Sequence, residues 1–428
     1  MQINDGDTVC IVGGGPGGSA CAMTLLKEAR RLDKKINVVI LEHKNFSGLR
    51  HHNQCIGVLS PPFEDILKKE LDLVLPESLI LNDIEGYRLH SDLLSLDLAG
   101  EEVGRSVSVA RSRFDAFMLE EARKAGAQVI HNRMTAVEVN SDGVLVYSDG
   151  ENIKCAVVVG AFGLDDGTCR IFEQGTPYCQ PDFLNTVITR LYPGDEFMQS
   201  MGFTIQAFLL SYPGLEFGAI TPKGDHISIN IAGRNVSSKV MMDFLRSAPV
   251  QRFLPPHQRR EKPLNYFKGR FPIAPARNLY GYRYVMIGDS AGLMRPFKGK
   301  GINTAIHTGV YAARSIMMHG LSKDAFAENY YRDCGQLTQD IPYGKAVRIF
   351  TNMATSLKFM DHMIAVAAER PDFMKAMFSS VSGHDPYKKI IAETTSLSLV
   401  FTFTKRILAH FLLRQKACLP LKKEGLAL

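Results

Sequence analysis

Tryptophan is absent from all 428 residues, and the eight cysteines, at positions 10, 21, 55, 155, 169, 179, 334 and 418, include no C-x-x-C pair. Such scattered cysteines argue against a zinc site or a disulfide framework, so no metal is expected and a reducing cytoplasm fits best. No apolar run reaches the roughly 18 residues that would read as a membrane span. The polar opening, Met1 to Asp7, lacks the basic and then apolar order of a secretory leader. Long Lys/Arg blocks are missing as well, and a net charge of +6 is mild for this length, so nucleic acid is not an expected partner. There is no internal repeat and no low-complexity linker.

What is present is ordinary for a globular enzyme, with 45% hydrophobic and 22% charged residues. At ~150 residues per domain the length suggests two or three packed units. One stretch stands out near the end: Leu397 to Leu413, LSLVFTFTKRILAHFLL, is interrupted only by Lys405, Arg406 and His410. It reads as a helix docked on the protein's own core, or as one resting on a membrane surface.

The strongest pattern opens the chain. Thr8 to Val12 reads as a buried strand, and Gly13, Gly15 and Gly18 take the three positions of G-x-G-x-x-G before an Ala-rich helical stretch through Arg31. The three glycines would give the tight turn, the close approach to a pyrophosphate and the packing of helix on strand. The helix N-terminus would present its amides to the phosphates. Asn37 to Leu41 forms a second strand, and Glu42 follows it where an acid can bind ribose hydroxyls and disfavour a 2′-phosphate. The nucleotide is thus FAD or NAD, not NADP.

Two later segments choose FAD. Tyr284 to Ile287 reads as a strand followed by Gly288, Asp289, Ser290, Ala291 and Gly292, then Gly299, Lys300, Gly301, Ile302 and Asn303. This resembles the G-D segment of FAD-dependent oxidoreductases, which implies that Asp289 holds ribityl hydroxyls. The backbone from Gly299 through Gly301 and Ile302 to Asn303 would lie under the pyrimidine edge of the ring. Arg111-Ser112-Arg113-Phe114-Asp115, ahead of a helix expected over Asp115 to Ala125, is similar to the R-x-x-F-D element of the same proteins and implies an FAD contact for Arg111.

The order of these motifs resembles the para-hydroxybenzoate hydroxylase fold over roughly residues 1 to 340, and within it the geranylgeranyl reductase-like branch. The branch-specific element is Gln54-Cys55-Ile56-Gly57-Val58-Leu59-Ser60-Pro61, similar to C-G-x-x-x-S-P. That resemblance implies reduction of isolated C=C bonds in isoprenoid chains, with Cys55 near the flavin as a catalytic or pocket-shaping thiol. The bland alternative is a buried thiol with no role. His51 and His52 lie just upstream, readable equally as groups that titrate near neutral pH or as residues of a surface turn.

Two departures touch substrate and reductant. Phe162 stands at the Asp of the usual G-A-D-G, with Asp165 and Asp166 displaced downstream, which puts NADPH handling in doubt. The lipid-site pattern P-x-Y/F-x-W-x-F-P-K aligns to Leu215, Phe217, Ala219, Thr221, Pro222 and Lys223, of which only Phe217, Pro222 and Lys223 match. Phe217, Ala219, Thr221 and Pro222 are the expected substrate-pocket residues. The lack of tryptophan excludes the W-x-W-x-I-P signature of flavin-dependent halogenases.

The expected fold is α/β: a Rossmann-type FAD-binding domain in three pieces (1–75, 100–175, 270–335), an interleaved β-rich substrate domain (76–99, 176–269) and a helical C-terminal region (336–428). Strands are expected at Phe203 to Leu210 and His226 to Ile231. Breaks are expected at Pro342, Pro371 and Pro386, and Met353, Met360, Met363, Met374 and Met377 read as core filler. The expected function is FAD-dependent reduction of a hydrophobic or prenylated, lipid-like molecule, with NAD(P)H, reduced ferredoxin or another small reductant as donor, in the cytoplasm and in possible peripheral contact with a membrane. An FAD monooxygenase acting on an aromatic or polyketide substrate, and a flavin-binding protein without catalysis, are the alternatives.

Overall fold

The protein is seen in a computed structural model that describes residues 1–46, 55–98, 105–255, 265–297, 300–383 and 385–394. The apolar stretch Leu397 to Leu413 lies outside the described residues.

The opening strand is Thr8–Val12, and after the glycine turn the helix Pro16–Arg31 returns the chain to Asn37–Leu41, parallel to the first. Their continuous apolar runs suit strands covered on both faces. They sit within a six-stranded sheet ordered Tyr280–Gly281, Tyr284–Met286, Val157–Gly160, Thr8–Val12, Asn37–Leu41, Gln128–Ile130, parallel except for the short first edge strand. A three-stranded antiparallel sheet, Met134–Val139, Val144–Ser148 and Ile153–Cys155, packs beside it. The result is a Rossmann-type α/β unit.

Two helices of this unit approach unusually closely. A methyl group on Gly309, in the helix Gly301–Met318, would lie 2.4 Å from the carbonyl oxygen of Gly17 in the first helix. Only glycine there lets the two backbones meet.

The second layer is a seven-stranded sheet ordered Phe267–Pro272, Phe183–Leu191, His226–Gly233, Phe217–Lys223, Thr204–Phe208, Gly86–His90, Ser95–Leu98. Its pairs are antiparallel except Thr204–Phe208 with Gly86–His90. On one face Val187, Ile220, Ile227, Ile229 and Ile231 form a core with Met241 and Phe244 of the helix Ser238–Arg246. On the other, Tyr87, Leu89 and Ile205 meet Met360, Met363 and Ile364 of the helix Met360–Glu369. A small sheet of Val58–Leu59, Val107–Val109 and Ile80–Asp83 lies between the layers in sequence.

The described part of the C-terminal region is helical, with two departures from the sequence expectation, at Pro342 and Met353. Pro342 does not break the chain: it lies inside the 22-residue helix Gly335–Ser356. A proline there removes one backbone donor and costs about 3 kcal/mol. Anchoring offsets it, since Ile341 is buried, Gly344 packs against Tyr387 and Pro296, and Arg348 makes a bidentate pair with Glu216 at 2.6 and 2.7 Å. Pro371 instead opens the helix Pro371–Ser382, and Pro386 precedes Tyr387–Thr394. Met360 and Met363 are core residues, and Met374 and Met377 flank them, whereas Met353 is 54% exposed.

Candidate active site

The glycine turn is shaped by contacts at two positions and by open space at the third. Gly13 has φ +111°, and a methyl group on it would fall 2.4 Å from the oxygen of Ala161. One on Gly18 would fall 1.9 Å from the oxygen of Gly13. Nothing lies within 4 Å of the same position on Gly15. Gly15 caps the first helix without a side-chain hydrogen bond, and the first turn holds no acid. Its orphan amides and the positive end of the helix dipole therefore face open space, a cradle that fits a diphosphate.

Glu42 closes the turn from the second strand. Its buried carboxylate accepts from the N–H of Gly14 and of Lys44, each at 2.8 Å. Each oxygen keeps a lone pair, which is what ribose hydroxyls require.

A second group gathers at the start of the helix Gly301–Met318. The helix of the R-x-x-F-D element begins at Arg111 rather than Asp115, so the two residues stand one turn apart and Arg111 Nε donates to Asp115 Oδ1 at 2.6 Å. Burial works against the Arg111 charge, but Asp115, Cys55 and Asp289 hold the guanidinium protonated. Burial raises Asp289 above the usual carboxylate range, with Arg111 pulling it back. Asp289 Oδ1 lies 3.3 Å from where Gly301 would carry a methyl group, so a side chain at 301 would crowd the carboxylate.

Gly301 begins the helix, again without a side-chain cap or an acid in its first turn. Ile302 is buried, and Asn303 Nδ2 donates to the oxygen of Ser60 at 3.2 Å. Lys300 Nζ donates to the oxygen of Pro61 at 2.6 Å. The branch-specific segment is thus fastened to the helix start. Gly299, Gln54, His51 and His52 lie outside the described residues.

Cys55 is exposed, not the buried thiol of the bland reading. It lies within electrostatic reach of Lys223 and Arg111. Gly57, at φ +67°, lets the chain turn there, and a methyl group on it would be 3.3 Å from Lys223 Nζ and 2.5 Å from the oxygen of Val109. Val58 then packs on the apolar cluster around Tyr87 and Leu89, which Phe217 and Ala219 also border.

The expected substrate residues lie on the strand Phe217–Lys223, whose alternation divides them. Phe217, Ala219, Thr221 and Lys223 share one face, whereas Pro222 pairs with Ile227 on the other. Sequence reasoning missed the polar side chains that join that face. Across it, Thr221 is level with Ser228 and Arg190, Ala219 with Asn230, and Lys223 with His226. The pattern H-I-S-I-N-I carries the alternation, but alternation alone reads as one face to core and one to water. Here all eight residues of His226–Gly233 are buried.

Phe162 is packed among aromatic rings. It stacks on Phe172 with ring centroids 5.0 Å apart and meets Tyr178 edge-on, while Tyr178 Oη donates to the oxygen of Ser290 at 2.8 Å. The departure from Asp converts this spot into aromatic packing behind the turn that carries Asp289. Asp165 instead caps the helix Asp166–Gly175.

No family model matches the sequence. Among curated proteins, the chain is 32% identical over 162 residues to Protein FixC of Escherichia coli, an alignment that spans 36% of each chain. It is 24% identical over 341 residues to digeranylgeranylglycerophospholipid reductase 1 of Methanococcoides burtonii, spanning 76% of this chain and 78% of that one. Among solved structures, a geranylgeranyl bacteriochlorophyll reductase-like protein of Thermoplasma acidophilum superposes with a TM-score of 0.68 at 19% identity, over 91% of this chain and 99% of that one. A triple mutant of the flavin-dependent brominase Bmp2 superposes with a TM-score of 0.63 at 16% identity, over 90% and 98%.

Proposed function

Starting from a chain that is geranylgeranyl reductase-like in its motifs, its relatives and its fold, we propose an FAD-dependent oxidoreductase that reduces C=C bonds of a hydrophobic, prenylated substrate. The carrying observation is the path of the segment Cys55–Pro61. One end is tied through Ser60 and Pro61 to Asn303 and Lys300, and the other packs Val58 on the apolar cluster that Phe217 and Ala219 also border and sets Gly57 against Lys223. A single stretch of chain thereby joins the expected ring end of the cofactor to an apolar wall.

In this reading Gly13, Gly15 and Gly18 receive the diphosphate, Glu42 the adenosine ribose, and Arg111 and Asp289 the remaining polar groups of FAD, with the backbone of Gly301 to Asn303 under the ring. When bound, FAD supplies the hydride that adds to one carbon of the double bond. Cys55 gives a proton from Sγ to the other carbon, and its exposure lets solvent restore that proton. The apolar face around Phe217 and Ala219 holds the chain and excludes water. The donor is NAD(P)H or a reduced ferredoxin, and supplying each to the loaded protein distinguishes them.

Membrane-surface contact belongs to the same reading. Among the described residues no helix is long and apolar enough to cross a membrane. The helix Gly335–Ser356 does leave Ile349, Phe350 and Met353 about half exposed or more, with Leu357 just past its end. At ~100° per residue these four fall on one stripe. An exposed stripe of this kind suits insertion among lipid headgroups.

The test is anaerobic: the FAD-loaded protein is reduced and mixed with a geranylgeranylated glycerolipid. A product heavier by two hydrogens per reduced bond, with reoxidation of the flavin, is expected. No mass gain, together with an oxygen atom entering an added aromatic in air, would replace this reading with a monooxygenase. Bound FAD that no donor reduces would replace it with a flavin-binding protein.

A further inference from the structure

The apolar substrate face contains a polar island that neither the fold nor the proposed hydride transfer uses. Arg190, Ser228 and Thr221 form a row across three neighbouring strands, with Asn230 one step to one side and the cross-strand pair His226 and Lys223 one step to the other. Thr221 Oγ1, Asn230 Oδ1, His226 Nε2 and Arg190 Nε are all buried and have no hydrogen-bond partner. Thr221 is wholly buried, Asn230 is 4% exposed and Lys223 1%.

Interiors rarely tolerate this, because each orphaned polar group forfeits its hydration without replacement. The charges are unbalanced too. Among the described residues neither Lys223 nor Arg190 is in a salt bridge, and Arg111, a third cation nearby, is already engaged by Asp115. A buried lysine beside a partly buried arginine, neither with a carboxylate partner, calls for an anion from outside the chain.

We propose that this island is a seat for an oxyanion of the substrate, a phosphate or a carboxylate. Lys223 and Arg190 supply the charge, and the Thr221 and Ser228 hydroxyls and the Asn230 amide, turned to offer Nδ2, supply neutral donors. The proposal rests on the reading of a prenylated substrate and narrows it: the molecule is an amphiphile whose anionic head is drawn into the sheet while its chain runs along Phe217 and Ala219. Such a seat would fix which double bond faces the cofactor, since the head is held at one point and the chain is measured from it.

The test is isothermal titration of the FAD-loaded protein with geranylgeranyl phosphate, geranylgeranoic acid and geranylgeraniol, and separately with benzoate and inorganic phosphate. The anionic amphiphiles should bind at least tenfold more tightly than the alcohol, the tighter of the two identifying the head. In Lys223→Met and Arg190→Met that preference should fall to about twofold or less. The near-isosteric Thr221→Val guards against misfolding and should lower the preference by severalfold with the flavin spectrum intact.

Equal binding of alcohol and anions, or a preference that survives both cation variants, overturns the seat and leaves the prenyl reading standing. Binding of benzoate or phosphate that depends on Lys223 and Arg190, with no prenyl ligand bound, supports the seat and ends the prenyl reading. Binding of none of the five ends both.

Discussion

The backbone N–H of Gly14 donates to Glu42 Oε2 at 2.8 Å, so the acid expected to meet a ribose also holds the glycine turn in place. Hydrogen bonds to a charged group are worth about 1.5–3 kcal/mol. Glu42→Gln keeps the shape but not the charge, and should weaken FAD binding by roughly tenfold or more, which corresponds to about 1.4 kcal/mol. Reconstitution of the apoprotein with FAD, followed by fluorescence quenching, measures it.

Two glycines three residues apart should respond differently to the same change. In Gly18→Ala the new methyl meets backbone at 1.9 Å, so the strand and helix must separate. A loss of about 3 kcal/mol or more in urea unfolding of the apoprotein is expected. In Gly15→Ala the methyl enters open space, so apoprotein stability should change by less than about 1 kcal/mol while FAD affinity collapses. Equal effects on stability would remove the argument that Gly15 is kept open for a ligand.

Lys223 gives a pH signature. Burial, opposed by Cys55 and reinforced by Arg190 and Arg111, lowers its pKa to about 8, against about 10.4 in an unfolded chain. Between those values the unfolded chain holds the proton and the folded one does not, so this group's contribution to stability rises with pH from about 8 to 10.4. The rise is up to roughly 3 kcal/mol if the whole shift is realised. Lys223→Met should lack it and be the more stable protein at pH 7. Urea midpoints of both proteins at pH 7 and pH 10 test this, and a parallel pair of pH profiles would refute it.

The exposed stripe on the helix Gly335–Ser356 predicts a separation of membrane binding from turnover. Phe350→Glu with Met353→Glu should reduce co-sedimentation with lipid vesicles by about tenfold or more. Turnover of a short, detergent-soluble prenyl substrate should remain near the wild-type rate. Undiminished sedimentation would show that this stripe does not contact lipid.

Local chemistry makes the dinucleotide half legible in the amino-acid order alone. Gly13, Gly18 and Glu42 sit where a strand, turn and helix of that spacing must put them, because backbone contact distances leave no choice. The helix at Arg111 starts a turn earlier than its residues suggest, since nothing in the sequence caps it. Pro342 reads as a break and is not one, because an anchor made by Arg348 and Glu216, 132 residues apart, is invisible to a local rule. The polar island is hidden for a related reason. Alternation in His226 to Ile231 is plain from the residues, but that its polar face is covered follows only from the stacking of layers.

The approach of Gly17 to Gly309 has a consequence for what the protein accepts. The first helix starts at the open cradle of Gly15, and its partner starts beside Asp289, so both positive helix ends belong to one body with no play at the crossing. The interval between them is a fixed gauge. A mononucleotide would satisfy one end and leave the other bare, whereas a molecule with a diphosphate at one end and an electron-accepting ring at the other closes both. Enlarging the crossing glycine should therefore change which length of ligand is held, even though no atom of Gly309 need touch it.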